Sequence, residues 1–196
     1  APPAIVSIFL GDQLTDIVEQ LRHGSAGTSK QGGKLELGVS TLPELPKDCT
    51  DRNRTSPFAF TGNKFEFRMV GSTQSVSGPS FVLNTIVAES LAQLADALEN
   101  AEDVKAEAQR VLQGIVTEHA RVIYNGDNYS DEWVTEAKTR GLPNIRSTME
   151  ALQMTRTADN AKLFSRHGVL SEGELFARIE ILLDTFRDQR SAFYFA

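Results

Sequence analysis

Residues 52–69 read Arg52-Asn53-Arg54-Thr55-Ser56-Pro57-Phe58-Ala59-Phe60-Thr61-Gly62-Asn63-Lys64-Phe65-Glu66-Phe67-Arg68-Met69. Within this stretch, Phe58 to Phe60 and Lys64 to Val70 are typical of two strands, and Gly62 between them supplies the turn of a hairpin. Side chains alternate along a strand, so one face of the second strand carries Lys64, Glu66 and Arg68, and the other carries Phe65, Phe67 and Met69. The pattern predicts a hairpin with one charged face and one core face.

The charged face has the composition of a site for a metal-bound nucleotide. A carboxylate such as Glu66 is a hard oxygen ligand that suits magnesium or manganese, and arginine side chains suit phosphate or carboxylate groups. Arg52 and Arg54 share an i, i+2 relation just before the hairpin, so basic groups flank one acid on both sides. The alternative is a solvated strand face with weak ion pairs, and spacing alone favours that alternative.

The sequence before the hairpin predicts two further strands and one helix. Ala4 to Leu10 is typical of a short buried strand, and Lys34 to Val39 of a second one. Between them, apolar residues at helical spacing predict a helix that Asp12 caps and Gly24 ends. Prolines at 43 and 46 then enforce a non-helical connector.

After the hairpin the sequence becomes helical. Three predicted helices run from Pro79 to about Asn100, from Val104 to Tyr124 and from Asp131 to Arg140. Two more begin at capping boxes, one formed by Ser147 with Glu150 and the other by Ser171 with Glu174. Strands followed by helices indicate an α+β fold, an antiparallel-type sheet backed by a helical layer. We divide the chain into a sheet-forming part, residues 1–78, and a helical part, residues 79–196.

Composition excludes several classes of partner. The net charge of −6 comes without a basic face or cluster of the kind that neutralises a phosphate backbone, so no nucleic acid is expected to bind. Cys49 is the single cysteine, which excludes an internal disulfide and makes the cytoplasm the expected location. The apolar start, Ala1 to Leu10, lacks a signal's basic region and is too short to span a bilayer, so no membrane role is expected.

Other potential sites have structural or trivial explanations. The three histidines, His23, His119 and His167, have no metal-ligand spacing and are predicted to be incidental. Two glycosylation-like triplets, at Asn53 and Asn128, are interpreted as chance matches. Trp133 is predicted to be a packing residue.

The sequence of residues 52–69 resembles that of the glutamine synthetase family. An arginine-asparagine-arginine-threonine loop precedes a strand with a basic-x-glutamate-x-arginine pattern, and the aromatic-rich version is similar to the type III class. Stretches at Ala1 to Ala4, Phe9 to Thr15 and Leu83 to Glu89, together with the helical tail to about Arg187, are also similar to that class. The resemblance implies the carboxyl-terminal part of a glutamine synthetase catalytic domain.

This resemblance implies an ATP-dependent ligase that joins ammonia to glutamate through γ-glutamyl phosphate. It assigns Arg54 to the nucleotide and the transferring phosphoryl group, and Lys64 to nucleotide phosphate. It assigns Glu66 to a divalent metal, Mg²⁺ or Mn²⁺, and Arg68 to the phosphate or carboxylate of the reacting glutamate. Family members assemble as homo-oligomers, dodecamers of two hexameric rings, with active sites between adjacent subunits.

The chain also departs from the family pattern. The flap glutamate, the other metal-ligating carboxylates, the metal histidine and the ammonium-site acid of the family have no counterpart after Ala1. Type I enzymes also carry an arginine where this chain has Ala59 and Phe60. We therefore expect an excised or truncated chain that is inactive alone.

Two other interpretations stay open. One is a non-catalytic interaction or regulatory module derived from the same fold, and the other is a generic anion-binding domain. Coding sequence upstream of Ala1 separates the first from the ligase, because a glutamate directly before Ala1 indicates the enzyme and a start codon there indicates the module.

Overall fold

The computed structural model of the chain describes residues 5–24, 34–35, 45–46, 56–69 and 75–194. Contacts between Cα atoms divide the chain into two compact units. The first unit comprises residues 1–72 and 97–144, and the second comprises residues 73–96 and 145–196.

Apart from α1, which follows β1, the described strands come before the described helices. The strands are β1 (Ile8–Phe9), β2 (Lys34–Leu35), β3 (Leu45–Pro46), β4 (Phe58–Phe60) and β5 (Phe65–Phe67). The helices are α1 (Gly11–His23), α2 (Ser77–Leu98), α3 (Val104–His119), α4 (Asp131–Thr139), α5 (Thr148–Thr155), α6 (Ala158–Arg166) and α7 (Glu172–Tyr194). This order confirms the predicted α+β class.

The sheet of the first unit has the order β1-β4-β5. Strands β4 and β5 form the predicted antiparallel hairpin, with Ala59 opposite Glu66, and β1 pairs with β4 in parallel. Gly62 lies in the turn with φ of 92°, a backbone conformation that glycine adopts without strain. Strands β2 and β3 form a separate antiparallel pair.

The start of α1 differs from the prediction. Asp12 does not cap this helix, because α1 begins at Gly11 and Asp12 lies inside its first turn. The cap comes from a distant residue: the Oδ1 atom of Asn125 accepts hydrogen bonds from the backbone N–H groups of Leu10 (3.0 Å) and Gly11 (3.1 Å). The predicted end is confirmed, since Gly24 closes α1 in the left-handed conformation.

The end of α3 also differs from the prediction. The helix was expected to continue to Tyr124 but ends at His119, and one 3₁₀ turn, Ala120–Val122, follows it. The chain leaves the helix because it joins the edge of the sheet. Ile123 forms a parallel bridge with Ile8, and the backbone N–H of Tyr124 donates to the carbonyl of Ile8 at 2.9 Å.

The core of the first unit is built around Trp133, which is 0 % exposed and packs with Ile5 and Ala137. The ring of Tyr124 stacks on the indole with a centroid separation of 3.8 Å. The Arg140 guanidinium lies 5.3 Å from the same ring centre. These contacts confirm Trp133 as a packing residue.

The second unit is a helical cluster. Its buried residues come from α6, the turn after it and α7: Ala161, Phe164, Leu170, Leu175, Ile179 and Leu183. The capping box at the start of α7 is complete, because the N–H of Glu174 donates to the Ser171 hydroxyl and the Glu174 carboxylate accepts from the Ser171 N–H. At α5, the N–H of Glu150 donates to the Ser147 hydroxyl at 3.4 Å.

Helix α2 has one engaged face and one exposed face. On the engaged face, the Phe81 ring meets Phe164 at 5.8 Å between centroids, and Glu89 pairs with His167 at 2.8 Å. On the exposed face lie Val82, Ile86, Val87 and Leu91. By length and composition alone, α2 could cross a bilayer, and 6 % of its apolar window is buried. The expectation of no membrane role stays a prediction.

Candidate functional site

The hairpin brings Lys64, Glu66 and Arg68 together, as the strand alternation predicts. The Arg68 guanidinium donates to the Oε2 atom of Glu66 from Nη2 at 3.1 Å and from Nε at 3.4 Å. On the other side of the carboxylate, the Nζ atom of Lys64 lies 3.6 Å from Oε1. One acid therefore lies between two cations on one face of β5.

A hydroxyl group that the sequence pattern did not single out also contacts this acid. The side chain of Thr61 donates to the Oε1 atom of Glu66 at 3.3 Å. Thr61 reaches it because the hairpin turn closes through a 2.9 Å hydrogen bond from the Thr61 N–H to the Lys64 carbonyl. A hydroxyl at the first position of the turn is the only sequence signal for this contact, and many surface turns share it.

These neighbours keep Glu66 ionised. Hydrogen bonding from Arg68, with smaller contributions from the charges of Arg68 and Lys64 and the Thr61 hydroxyl, lowers the pKa of Glu66 below its ordinary value of 4.5. The Glu66 side chain is 39 % exposed, so these pairs are partly screened by water. The site is an open surface group in which two cations share one acid, so it carries an excess of positive charge.

The opposite face of the hairpin carries paired aromatic rings. Phe58 meets Phe67 and Phe60 meets Phe65 across the strands, at centroid distances of 5.0 and 5.2 Å. The prediction that this face is core is only partly correct, because Phe65 is 55 % exposed. On the face that carries Glu66, the cross-strand neighbour is Ala59, which is fully buried and leaves the carboxylate room.

Arg54, predicted to contact the transferring phosphoryl group, and its neighbour Arg52 lie outside the described residues. Their proximity to Glu66 therefore stays a prediction.

The described residues fit a metal through one carboxylate. No group of three or more His, Cys, Asp or Glu side chains lies together in the part of the chain that the structure describes. Mg²⁺ bound to a nucleotide commonly uses one or two carboxylates, with phosphate oxygens and water completing the shell. Glu66 is the residue of this strand face that would hold such a metal, and Lys64 and Arg68 beside it would attract the phosphate oxygens.

Comparisons with known proteins point to one family. Residues 107–192 match the family model described as the glutamine synthetase C-terminal domain. The chain is 46 % identical to the type-3 glutamine synthetase of Dictyostelium discoideum, over 95 % of the chain and 26 % of that protein. The chain belongs to the glutamine synthetase family. The type III resemblance inferred from residues 52–69 is thereby confirmed.

Bacterial relatives extend the same match. The chain is 40 % identical to a glutamine synthetase of Butyrivibrio fibrisolvens and 38 % identical to one of Bacteroides fragilis, each over 95 % of the chain. It spans about a quarter of the length of these glutamine synthetases (27 % and 26 %). An alignment over 95 % of the chain necessarily includes the internal hairpin, so the charged strand lies within the region shared with the family.

Proposed function

We propose that this chain is the later catalytic part of an ATP-dependent glutamate–ammonia ligase. The observation that carries the proposal is the position of Glu66 between Lys64 and Arg68 on one strand face. The strand lies in a chain that is 46 % identical to a protein named type-3 glutamine synthetase. Family membership supports the reaction class, and the hairpin supports the assignment of the residues.

Within this proposal, Glu66 contributes one oxygen ligand to Mg²⁺ or Mn²⁺ bound to ATP. The triphosphate carries enough negative charge to draw Lys64 and Arg68 away from Glu66, which frees the carboxylate for the metal. Lys64 then contacts nucleotide phosphate as a point charge, and Arg68 holds the phosphate or carboxylate of the reacting glutamate. Arg54 is proposed to stabilise the transferring phosphoryl group.

The reaction is proposed to proceed in two balanced steps. The γ-carboxylate of glutamate takes the terminal phosphoryl group of ATP, which leaves ADP and γ-glutamyl phosphate. Ammonia then attacks the acyl carbon, phosphate leaves, and glutamine remains after the loss of one proton. Positioned cations suffice for the protein's part in the first step, since phosphoryl transfer needs charge stabilisation more than a covalent nucleophile.

Nucleotide titration tests the site assignment. Calorimetric titration of Mg²⁺·ATP into the chain is expected to give binding that Glu66→Gln weakens at least about tenfold, a loss that even outer-shell changes cause at metal sites. Glu107→Gln is the matched control, because Glu107 is another partly exposed acid that pairs with an arginine, Arg110, in the same unit. Equal affinity of Glu66→Gln and wild type would remove the proposed metal role.

Activity of the isolated chain is a separate test. Purified chain with ATP, Mg²⁺, glutamate and ammonia is expected to form no glutamine, because the chain spans about a quarter of its relatives' length (26 %). Turnover would overturn our proposal that this polypeptide is inactive alone. We also propose that the complete protein acts in the cytoplasm as a homo-oligomer, a dodecamer whose mass sedimentation velocity would report.

A further inference from the structure

Three buried polar side chains meet beside the starts of strands β1 and β4, within the first unit. Ser7 and Ser56 are 0 % exposed and Asn128 is 2 % exposed. The Oγ atoms of Ser7 and Ser56 lie 2.7 Å apart, and the Oδ1 atom of Asn128 lies 3.3 Å from the Oγ of Ser7. Burying such groups is costly unless they are hydrogen-bonded, and here the three side chains serve as partners for one another.

The hydroxyl protons determine which group donates and which accepts in each hydrogen bond of this cluster. The hydroxyl of Ser56 donates to the carbonyl of Tyr124 at 3.0 Å, so the hydroxyl of Ser7 must donate to Ser56. Ser7 then has no proton left for the Oδ1 atom of Asn128, while the Nδ2 atom of Asn128 is buried without a partner in the described part of the chain. Turning the amide by 180° lets Nδ2 donate to Ser7 and completes one chain of donors that ends at Tyr124.

This hydrogen-bonded chain is connected to the charged hairpin. The backbone N–H of Phe58 donates to the carbonyl of Ser7 at 3.4 Å, which fixes the start of β4. Pro57, the residue after Ser56, accepts a 2.8 Å hydrogen bond from the backbone N–H of Arg68. The buried hydroxyl of Ser56 is thus one residue and one hydrogen bond away from the backbone of Arg68.

We propose that Asn128 is a positioning residue for the Glu66–Arg68 site. Through Ser7 and Ser56 it holds the chain that enters β4, and through Pro57 it sets where the backbone of Arg68 lies. This inference rests on the proposed function only for its effect on nucleotide binding. Its structural half, the coupling of Asn128 to Arg68, stands on the distances alone.

Asn125 provides a matched control three residues earlier. Its side chain accepts from Leu10 and Gly11 and donates to Thr15, so within the described residues these three hydrogen bonds all serve the first turn of α1. A general loss of stability in this segment would affect Asn125→Ala and Asn128→Ala alike. A positioning role predicts that only Asn128→Ala affects Arg68.

The structural test is amide hydrogen exchange, followed by NMR, with the protection of Arg68 divided by that of Ala137 in the core of the same unit. Asn128→Ala is expected to lower this ratio about tenfold, the effect of losing about one hydrogen bond. Ser7→Ala, a smaller change that preserves packing, is expected to lower it in the same direction. Asn125→Ala is expected to leave the ratio unchanged while α1 exchanges faster.

An unchanged ratio in both Asn128→Ala and Ser7→Ala would overturn the positioning role, and so would an equal fall in Asn125→Ala. The functional arm is Mg²⁺·ATP affinity at a temperature where circular dichroism shows each variant folded. Asn128→Ala is expected to bind about tenfold more weakly than wild type, whereas Asn125→Ala binds equally. Absence of binding by wild type refutes the proposed function instead, and the exchange ratio still decides the positioning role.

Discussion

At the scale of single residues, Glu66 is defined by what surrounds it. Arg68, Lys64 and Thr61 donate to or pair with its two oxygens, and the buried methyl group of Ala59 lies opposite it across the hairpin. Because the group is partly exposed, these pairs contribute little to stability. Their consequence is instead that the carboxylate stays charged and is held in one place, as the proposed metal role requires.

The titration of Glu66 tests this arrangement. Its pKa is lowered in the folded chain, so the stabilising pair is fully present above the ordinary value of 4.5 and is lost as the pH falls through the lower folded value. Carbon-13 NMR of the Glu66 carboxyl is expected to give a midpoint below 4.5. Arg68→Gln is expected to raise the midpoint more than Lys64→Gln does, because the Arg68 hydrogen bond is the largest cause. The reverse order would contradict the structure.

Gly126 offers a second test at a single residue. A Cβ atom at Gly126 would lie 2.6 Å from the Oη atom of Tyr124, so the Tyr124 ring, which stacks on Trp133, would have to shift. We expect Gly126→Ala to lower the free energy of unfolding by about 1 to 3 kcal/mol in urea titrations. Gly114→Ala in α3 meets no atom within 4 Å and is expected to be neutral or stabilising by up to about 1 kcal/mol. Equal effects of the two substitutions would refute the proposed crowding.

At the scale of elements, helix ends are set in two different ways. The start of α7 is local, since Ser171 and Glu174 satisfy each other's backbone N–H groups three residues apart. The start of α1 is not local, because its cap, Asn125, lies 114 residues from Gly11. A helix end that is capped by near neighbours can be predicted from sequence, whereas one that is capped by a distant residue requires knowledge of the fold.

Removing the cap of α7 can be compared with removing the cap of α5. Ser171→Ala is expected to destabilise the second unit by about 1 kcal/mol, because it leaves the backbone N–H of Glu174 without its acceptor and removes the hydroxyl's bond to the Glu174 carboxylate. Ser147→Ala removes the 3.4 Å bond from the N–H of Glu150, whereas Ser171→Ala also removes a 2.8 Å bond to the Glu174 carboxylate, so the change at Ser147 is expected to cost less. Thermal unfolding followed by circular dichroism measures both, and a larger effect at Ser147 would contradict the box at α7.

The same distinction explains how much the sequence could predict. The hairpin, its charged face, the glycine turn and the capping box of α7 depend on neighbours within a few residues, and all were predicted. The premature end of α3 depends on Ile8, and the Asn128 cluster on Ser7 and Ser56, so no local pattern announced them. Asn128 resembled a chance glycosylation triplet, and its 2 % exposure shows that the amide is inaccessible.

At the scale of the whole molecule, charge is the property that the sequence determines most directly. The chain carries 26 acidic and 20 basic side chains, and several of the basic ones pair with acids within the described residues. Arg166 and His167 share Glu89, for example, and Arg156 pairs with Glu180. In the part of the chain that the structure describes, this pairing neutralises cations that a phosphate backbone would otherwise contact.

The excess of acidic over basic side chains predicts that nucleic acid does not bind. In an electrophoretic mobility assay at about 0.1 M salt, duplex DNA and single-stranded RNA are expected to migrate unchanged when the chain is added, because a net charge of −6 repels them. A retarded band that weakens steeply with added salt would contradict the prediction.

The Ser7–Asn128 contact also has a consequence for synthesis on the ribosome. The two residues are 121 positions apart, so this contact cannot form until Asn128 has been translated, well after β4 has become available to pair with β1. At about 5 to 20 residues per second, that interval lasts about 6 to 24 s. During this time Ser7 and Ser56 can already meet, so the Asn128 amide is expected to close onto a pair of serines that has formed before it.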